Sequence, residues 1–235
     1  MAMSVQLTNL LARTPNIEDL YSITELVAVC DIAEHGVGGV VGDTSSTIQD
    51  LQSHWQNFCF NLATDAWVIV TKKGQFAGFG CVWHRDHEEF YNFVCVHPQY
   101  RKRGIGTLLL RLVEERARQQ MRGALPDVRV NLKAQVSSSN AEARSLFERE
   151  GYILIREFWR VTLELDETLD GARSSGKFKV DMDVDAQRLV GLTPLYEREG
   201  VFSVRQYCTY EKELRAAQEQ CACPDEDPDT LVNAG

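Results

Sequence analysis

The 235-residue chain carries 25 Lys and Arg against 34 Asp and Glu, a formal net charge of −9, with 44% hydrophobic and 25% charged residues. That balance excludes collagen, coiled coil and disorder throughout, and makes nucleic acid or an anionic membrane a poor partner. The longest apolar runs, such as that around Trp67–Val70, fall far short of the roughly 18 residues that span a bilayer.

The length suits one complete domain plus an appendage. No basic segment followed by an apolar stretch opens the chain, which predicts a protein without a signal peptide. Seven cysteines (Cys30, Cys59, Cys81, Cys95, Cys208, Cys221 and Cys223) show no disulfide framework, and a reducing cytoplasm is the expected compartment.

In chain order, Ile17, Leu20, Ile23, Leu26, Val27 and Cys30 form a helical stripe over residues 17–35. Four glycines within Gly36–Gly42 predict a loop, and Thr44-Ser45-Ser46-Thr47 offers caps for a second helix over 48–60. Three strand-like runs follow at 66–71, 76–83 and 89–96, joined at Lys73-Gly74 and Arg85-Asp86-His87-Glu88, which predicts an antiparallel meander. Ile105, Leu108, Leu109, Leu112 and Val113 mark a helix over about 104–122. Residues 127–136 read as a strand, 138–150 as a helix capped by Ser or Asn, and 152–165 as one or two strands. The fold class is therefore α/β (α+β): a mixed, mostly antiparallel twisted sheet flanked by helices, with a small C-terminal helix-strand extension.

That extension rests on an internal repeat. Aligning 145–165 with 194–214 matches eight of 21 positions, among them Glu148/Glu197, Gly151/Gly200 and Arg156/Arg205. The expected organisation is a main domain over 1–168, a Gly/Ser-bearing linker over 169–178, a partial second unit over 179–214 and an acidic, frayed tail over 215–235.

The chemistry concentrates in Val94-Cys95-Val96-His97-Pro98-Gln99-Tyr100-Arg101-Lys102-Arg103-Gly104-Ile105-Gly106-Thr107. A strand ends at a proline, a basic glycine-bearing turn follows, and a helix begins. Unpaired N–H groups and the positive dipole end of a helix N-terminus hold phosphate. Seven of the 25 basic residues fall between Arg101 and Arg122, a local excess on an acidic protein that points to a polyanionic ligand. Gly106-Thr107-Leu108 lacks the Gly-Lys-Ser/Thr end of a P-loop. Leu109 stands where a dinucleotide fingerprint needs a third glycine or alanine.

Over residues 17–165 the sequence resembles the GNAT superfamily of N-acetyltransferases. Its diphosphate-loop pattern, Gln/Arg-x-x-Gly-x-Gly/Ala, reads here as Arg101 to Gly106, preceded by Val96-His97-Pro98. A second element appears as Asn140, Ala143, Leu146, Phe147, Gly151 and Tyr152. The resemblance implies an acetyl-CoA site. Val94, Cys95 and Val96 would pair with the pantetheine amides, and Arg101, Lys102, Arg103, Gly104, Ile105, Gly106 and Thr107 would enclose the diphosphate. Asn140 would face the pantetheine arm, and Phe147 would pack near the thioester. An acetyl group would pass to a primary amine by direct attack, positioned by binding. The C-terminal repeat is similar to tandem GNAT proteins, although it lacks a phosphate loop of its own.

The pattern breaks at Phe147, which has no hydroxyl where the family often has tyrosine, and at Asn92 and Gln135, where a basic glutamate is usual. Glu89, which opens the central strand, is the candidate proton acceptor; Glu88, His84 and His87 also fit a solvated turn. Tyr196 stands in the repeat where Phe147 stands in the main unit. His84-Arg85-Asp86-His87 reads as a surface loop rather than a metal site, and no metal is expected. The breaks leave a second reading, an acyl-CoA-binding sensor or assembly module without catalysis. The acceptor is expected to be a small-molecule or peptide amine. Local acid at Asp31, Glu34, Asp43 and Asp86 favours a cationic one. Strands after Gly151 and Gly200 offer edges for a homodimer.

Overall fold

The apolar alternation from Ala66 onward builds the expected meander: β2 (Ala66–Thr71), β3 (Phe76–His84) and β4 (Glu89–Val96), each antiparallel to its neighbour. The structure, a computed structural model, describes residues 9–35, 55, 60–84, 86–166, 177–185 and 201–217. At the second turn the Asp86 carboxylate accepts the backbone N–H groups of Glu88 (3.1 Å) and Glu89 (3.2 Å), fixing where β4 begins. The remaining strands are β1 (Leu10–Arg13), β5 (Val130–Ser137), β6 (Ile153–Asp166), β7 (Lys177–Asp185) and β8 (Val201–Arg215).

All eight join one sheet in the order β1-β2-β3-β4-β5-β8-β6-β7. Among the described residues only the β4–β5 pair is parallel. The result is the mixed, mostly antiparallel α+β architecture that the periodicity predicts. The strand expected as part of a second unit, β8, is instead hydrogen-bonded between β5 and β6 within this sheet. The helix half of the repeat, with Tyr196, lies outside the described residues. So do the glycine-rich 36–42, most of the helix expected over 48–60, most of the linker and the acidic tail. β7 opens at Lys177, where the sequence suggests the end of the linker.

Helices cover both faces. On one, α1 (Leu20–His35) follows a short 3-10 turn over Ile17–Asp19 that is closed by a capping box. The Asn16 side chain accepts Asp19 N–H, while the Asp19 carboxylate accepts Asn16 N–H and takes Arg13 Nη1 at 2.6 Å. Leu20, Ile23, Leu26 and Cys30 then pack on Val68, Val70, Phe79, Cys81 and Cys95. On the other face, α3 (Ile105–Gln120) and α4 (Ala141–Arg149) cover Phe90, Leu132, Ala134 and Tyr210 through Leu110, Val113, Ala117 and Phe147. A single turn, α2 (Leu62–Asp65), leads into β2, and Asp65 receives Arg116 of α3 at 2.7 Å. Cys30, Cys81, Cys95 and Cys208 are free and buried, acting as small hydrophobes.

Candidate active site

The parallel ladder between β4 and β5 ends at Asn92↔Ala134. Beyond it β4 runs on beside β3 to Val96, and β5 runs on beside β8 to Ser137. The two central strands therefore diverge, and the edge of β4 that faces β5 carries peptide groups outside that ladder. A cavity of about 550 Å³ fills the cleft.

The end of β4 and the start of α3 form one wall. Val94, Cys95 and Val96 line the cavity, followed by Arg101, Lys102, Gly104, Ile105, Gly106 and Thr107. Gly104 caps α3 with φ of 83°, in the left-handed region that glycine adopts at no steric cost, and no side chain caps the helix. The first N–H groups of α3 therefore point outward from the turn, and the dipole adds positive potential there. The helix sits low on the sheet because β3 is cut away beneath it. A Cβ on Gly78 would lie 2.8 Å from Ile105 Cγ2, and one on Gly80 would lie 3.3 Å from Leu109 Cβ. Arg103, expected in the same loop, instead places its guanidinium over the Tyr100 ring, 5.2 Å from the centroid.

The opposite wall comes from α4. Asn140 is its N-cap, and its Oδ1 accepts the N–H of Ala143 at 3.0 Å. Phe147 lines the cavity while resting edge-on against Tyr152 (5.0 Å) and stacked on Tyr210 (5.7 Å). Arg149 bonds Thr107 Oγ1 at 3.1 Å, tying α4 to the first turn of α3. Lys102 pairs with Glu142 at 2.9 Å. The expected coenzyme residues other than Arg103 thus share one cleft.

Glu89 lies elsewhere, outside the cavity lining. It accepts the Tyr91 hydroxyl at 2.7 Å and pairs with Lys133 Nζ at 2.5 Å. The hydrogen bonds from Lys133 and Tyr91 hold its carboxyl below the usual carboxylate range, the wrong direction for a proton acceptor at neutral pH. Asn92, at the last pair of the parallel ladder, is buried and donates to Lys133 O at 3.2 Å. His84 is buried, and its Nδ1 accepts His87 N–H at 3.2 Å. Among the described residues no group of three or more His, Cys, Asp or Glu is placed to hold a metal.

One lining residue escapes the motif analysis. Glu34, in the last turn of α1, reaches the cavity and accepts Asn140 Nδ2 at 2.5 Å, with Arg101 Nη2 at 3.4 Å. Burial pushes its carboxyl above the usual range, against the pull of Arg101 and Asn140. Its neighbour His35 donates from Nδ1 to Asp31 Oδ1 (3.0 Å) and meets Ser137 Oγ through Nε2 (3.1 Å). Nothing in local spacing announces the Glu34–Asn140 and His35–Ser137 contacts, which join residues more than 100 positions apart.

Comparison with known proteins agrees with this geometry. Residues 63–154 match the family model described as Acetyltransferase (GNAT) domain, and that span holds both motif elements and both walls of the cavity apart from Glu34. The fold is that of GNAT N-acetyltransferase structures. A GCN5-related N-acetyltransferase from Sphaerobacter thermophilus superposes with a TM-score of 0.72 at 17% identity, over 89% of this chain and 97% of its own. The yncA protein of Salmonella typhimurium, solved with its cofactor acetyl-CoA, gives 0.52 at 16% identity over 92% and 99%. The ribosomal-protein-S18-alanine N-acetyltransferase of Escherichia coli gives 0.51 at 15% over 91% and 99%. No curated protein matches the sequence.

Proposed function

We propose that the chain is an acetyl-CoA-dependent N-acetyltransferase that moves an acetyl group to a primary amine by direct attack. One observation carries the reading: the cleft between β4 and β5 opens onto the N-terminus of α3, which no side chain caps, so one cavity joins a largely apolar cleft to an anion-binding turn. The match over residues 63–154 supports an acyltransferase.

The residues fit such a coenzyme. Backbone groups of Val94–Val96 pair with the pantetheine amides as an added strand would. Amides from Lys102 to Thr107 hold the diphosphate with the Arg101 and Lys102 charges, and Arg103 adds to the field from its place over Tyr100. Asn140 Nδ2 faces the pantetheine arm, and Phe147 closes the apolar wall. Bound acetyl-CoA supplies the activated acyl group. The acceptor amine attacks the acyl carbon, a C–N bond forms as the C–S bond breaks, and the proton lost by nitrogen balances the one gained by the thiolate. A backbone N–H on the 94–96 segment polarises the carbonyl. Proximity contributes most of the rate.

Glu89 shares its face of β4 with Tyr91, Phe93 and Cys95, so it borders the side from which an acceptor approaches. With its lowered basicity, it acts by attracting an ammonium group rather than by taking its proton. The acceptor is a small-molecule or peptide amine. The second reading, an acyl-CoA-binding module without catalysis, is favoured by the commitment of Glu89 to Lys133 and the missing hydroxyl at Phe147.

Thiol release from acetyl-CoA separates the two. Screened against primary amines and peptides, the purified protein is expected to liberate free CoA, and Gly104→Glu to abolish that release. CoA binding without acyl transfer to any amine would favour the sensing module.

A further inference from the structure

Glu34 lines a cavity whose helix N-terminus and Arg101 favour anions. Glu34 Oε1 takes Asn140 Nδ2 and lies 3.4 Å from the Arg101 guanidinium, two groups that the proposed function gives to the coenzyme. Because Asn140 Oδ1 is committed to Ala143 N–H, Nδ2 is the polar atom that Asn140 offers to the channel. The carboxylate is held there firmly. Ser139 Oγ donates to Glu34 O at 3.2 Å, His35 meets Ser137 at 3.1 Å, and Asp31 takes Arg205 of β8 at 2.8 Å. The last turn of α1 is thus pinned to the turn before α4 and to the centre of the sheet.

We infer that Glu34 sets the coenzyme affinity of this cavity through its own charge: it contends with a polyanionic coenzyme for Arg101 and Asn140, and the site takes up a proton as it fills. The inference rests on the acetyl-CoA reading. The groups around Glu34 determine the sign. From the loop after β4 comes Arg101, from the turn before α4 come Asn140 and Ser139, and from its own helix come Cys30, Asp31 and His35. Lys102 is offset by Glu142 and Arg149 by Glu150, which leaves Arg101 as the cavity cation that faces the Glu34 carboxylate. A diphosphate brought to the same turn draws Arg101 away and adds like charge, and both effects favour the protonated acid. Protonation removes the repulsion and leaves a hydroxyl that can donate to the ligand.

Calorimetric titration with CoA at pH 7, in pairs of buffers with different ionisation heats, counts the protons taken up. The wild type is expected to take up more protons than Glu34→Gln, and the variant to bind CoA about tenfold more tightly, the equivalent of one pKa unit. Glu34→Ala should change affinity in the same direction. Equal or weaker binding by Glu34→Gln, with an unchanged proton count, would overturn the inference and make Glu34 a prop for Asn140. If neither variant melts cooperatively, the wild-type count decides: no uptake beyond that of the CoA phosphates themselves overturns it. No heat with the wild type would overturn the acetyl-CoA reading as well, so the two failures are distinguishable.

Discussion

A carboxylate beside a lysine loses basicity, and Glu89 has both Lys133 and the Tyr91 hydroxyl against it. Once an acceptor amine is in hand, Glu89→Gln should therefore leave the acidic limb of the kcat/KM profile in place. A shift of that limb would restore Glu89 as the proton acceptor. Asp19 illustrates the same physics in a structural role. The Arg13 hydrogen bond, joined by Asn16 N–H, lowers its carboxyl below the ordinary value. Its contribution is present above the unfolded value of about 4 and is lost as pH falls through the lower folded one. Asp19→Asn should cost about 1 kcal/mol at pH 7, discounted because Arg13 is partly exposed, and nothing in strong acid. Denaturant melts across pH measure this directly. His84 gives the same sign from a different cause. Burial, then the neighbouring His87, lowers its pKa. As pH falls below about 6.5 the unfolded chain takes up a proton that the folded one resists. Stability should decline from pH 7 to 5, and less steeply in His84→Gln.

The elements differ in how much of them can be read from sequence. β2, β3, β4 and α3 are legible to within a residue or two, because each alternates or repeats cleanly between Gly, Pro or charged boundaries. The cavity wall from Val94 to Thr107 is legible for the same reason, since strand, turn and helix are contiguous in sequence. β1 is a four-residue edge strand, too short to carry a period. In β7, Phe178, Val180, Met182 and Val184 do alternate with charges, but the sequence reading gives its first two residues to the linker and the rest to the partial second unit. The sequence marks Glu34 only as local acid, and its place on the cavity wall is not legible because Asn140 and Arg101 come from other parts of the chain. At this scale the seat of α3 is the feature to test. Gly78→Ala would drive a methyl group to 2.8 Å from Ile105 Cγ2. Overpacking of this kind costs about 1–3 kcal/mol. The helix N-terminus should lift off β3, so CoA affinity should fall together with the melting temperature. A variant that melts as the wild type does and binds CoA equally well would show that the close approach has no role.

Taken as a whole, the sheet depends on a strand that arrives last in the sequence. β8 pairs with β5 along Val130–Ser137 and with β6 along Ile153–Leu163, so it joins the strand that borders the cleft to the far half of the sheet. Tyr210, fully buried on β8, stacks on Phe147 and gives its hydroxyl to Glu148 at 2.9 Å. Tyr210→Ala should cost about 3–5 kcal/mol and loosen the α4 wall, so thermal unfolding should shift down while CoA affinity drops. The C-terminal strand thereby supports the cavity from behind, without supplying a lining residue to it.

The central claim is that the turn from Arg101 to Thr107 and the divergence of β4 from β5 form one coenzyme site. Calorimetric titration of the intact chain with acetyl-CoA tests it most directly. Saturable binding at one site per chain, abolished or weakened at least tenfold by Gly104→Glu, is the predicted result. No detectable heat at millimolar coenzyme, or binding that Gly104→Glu leaves unchanged, would contradict it.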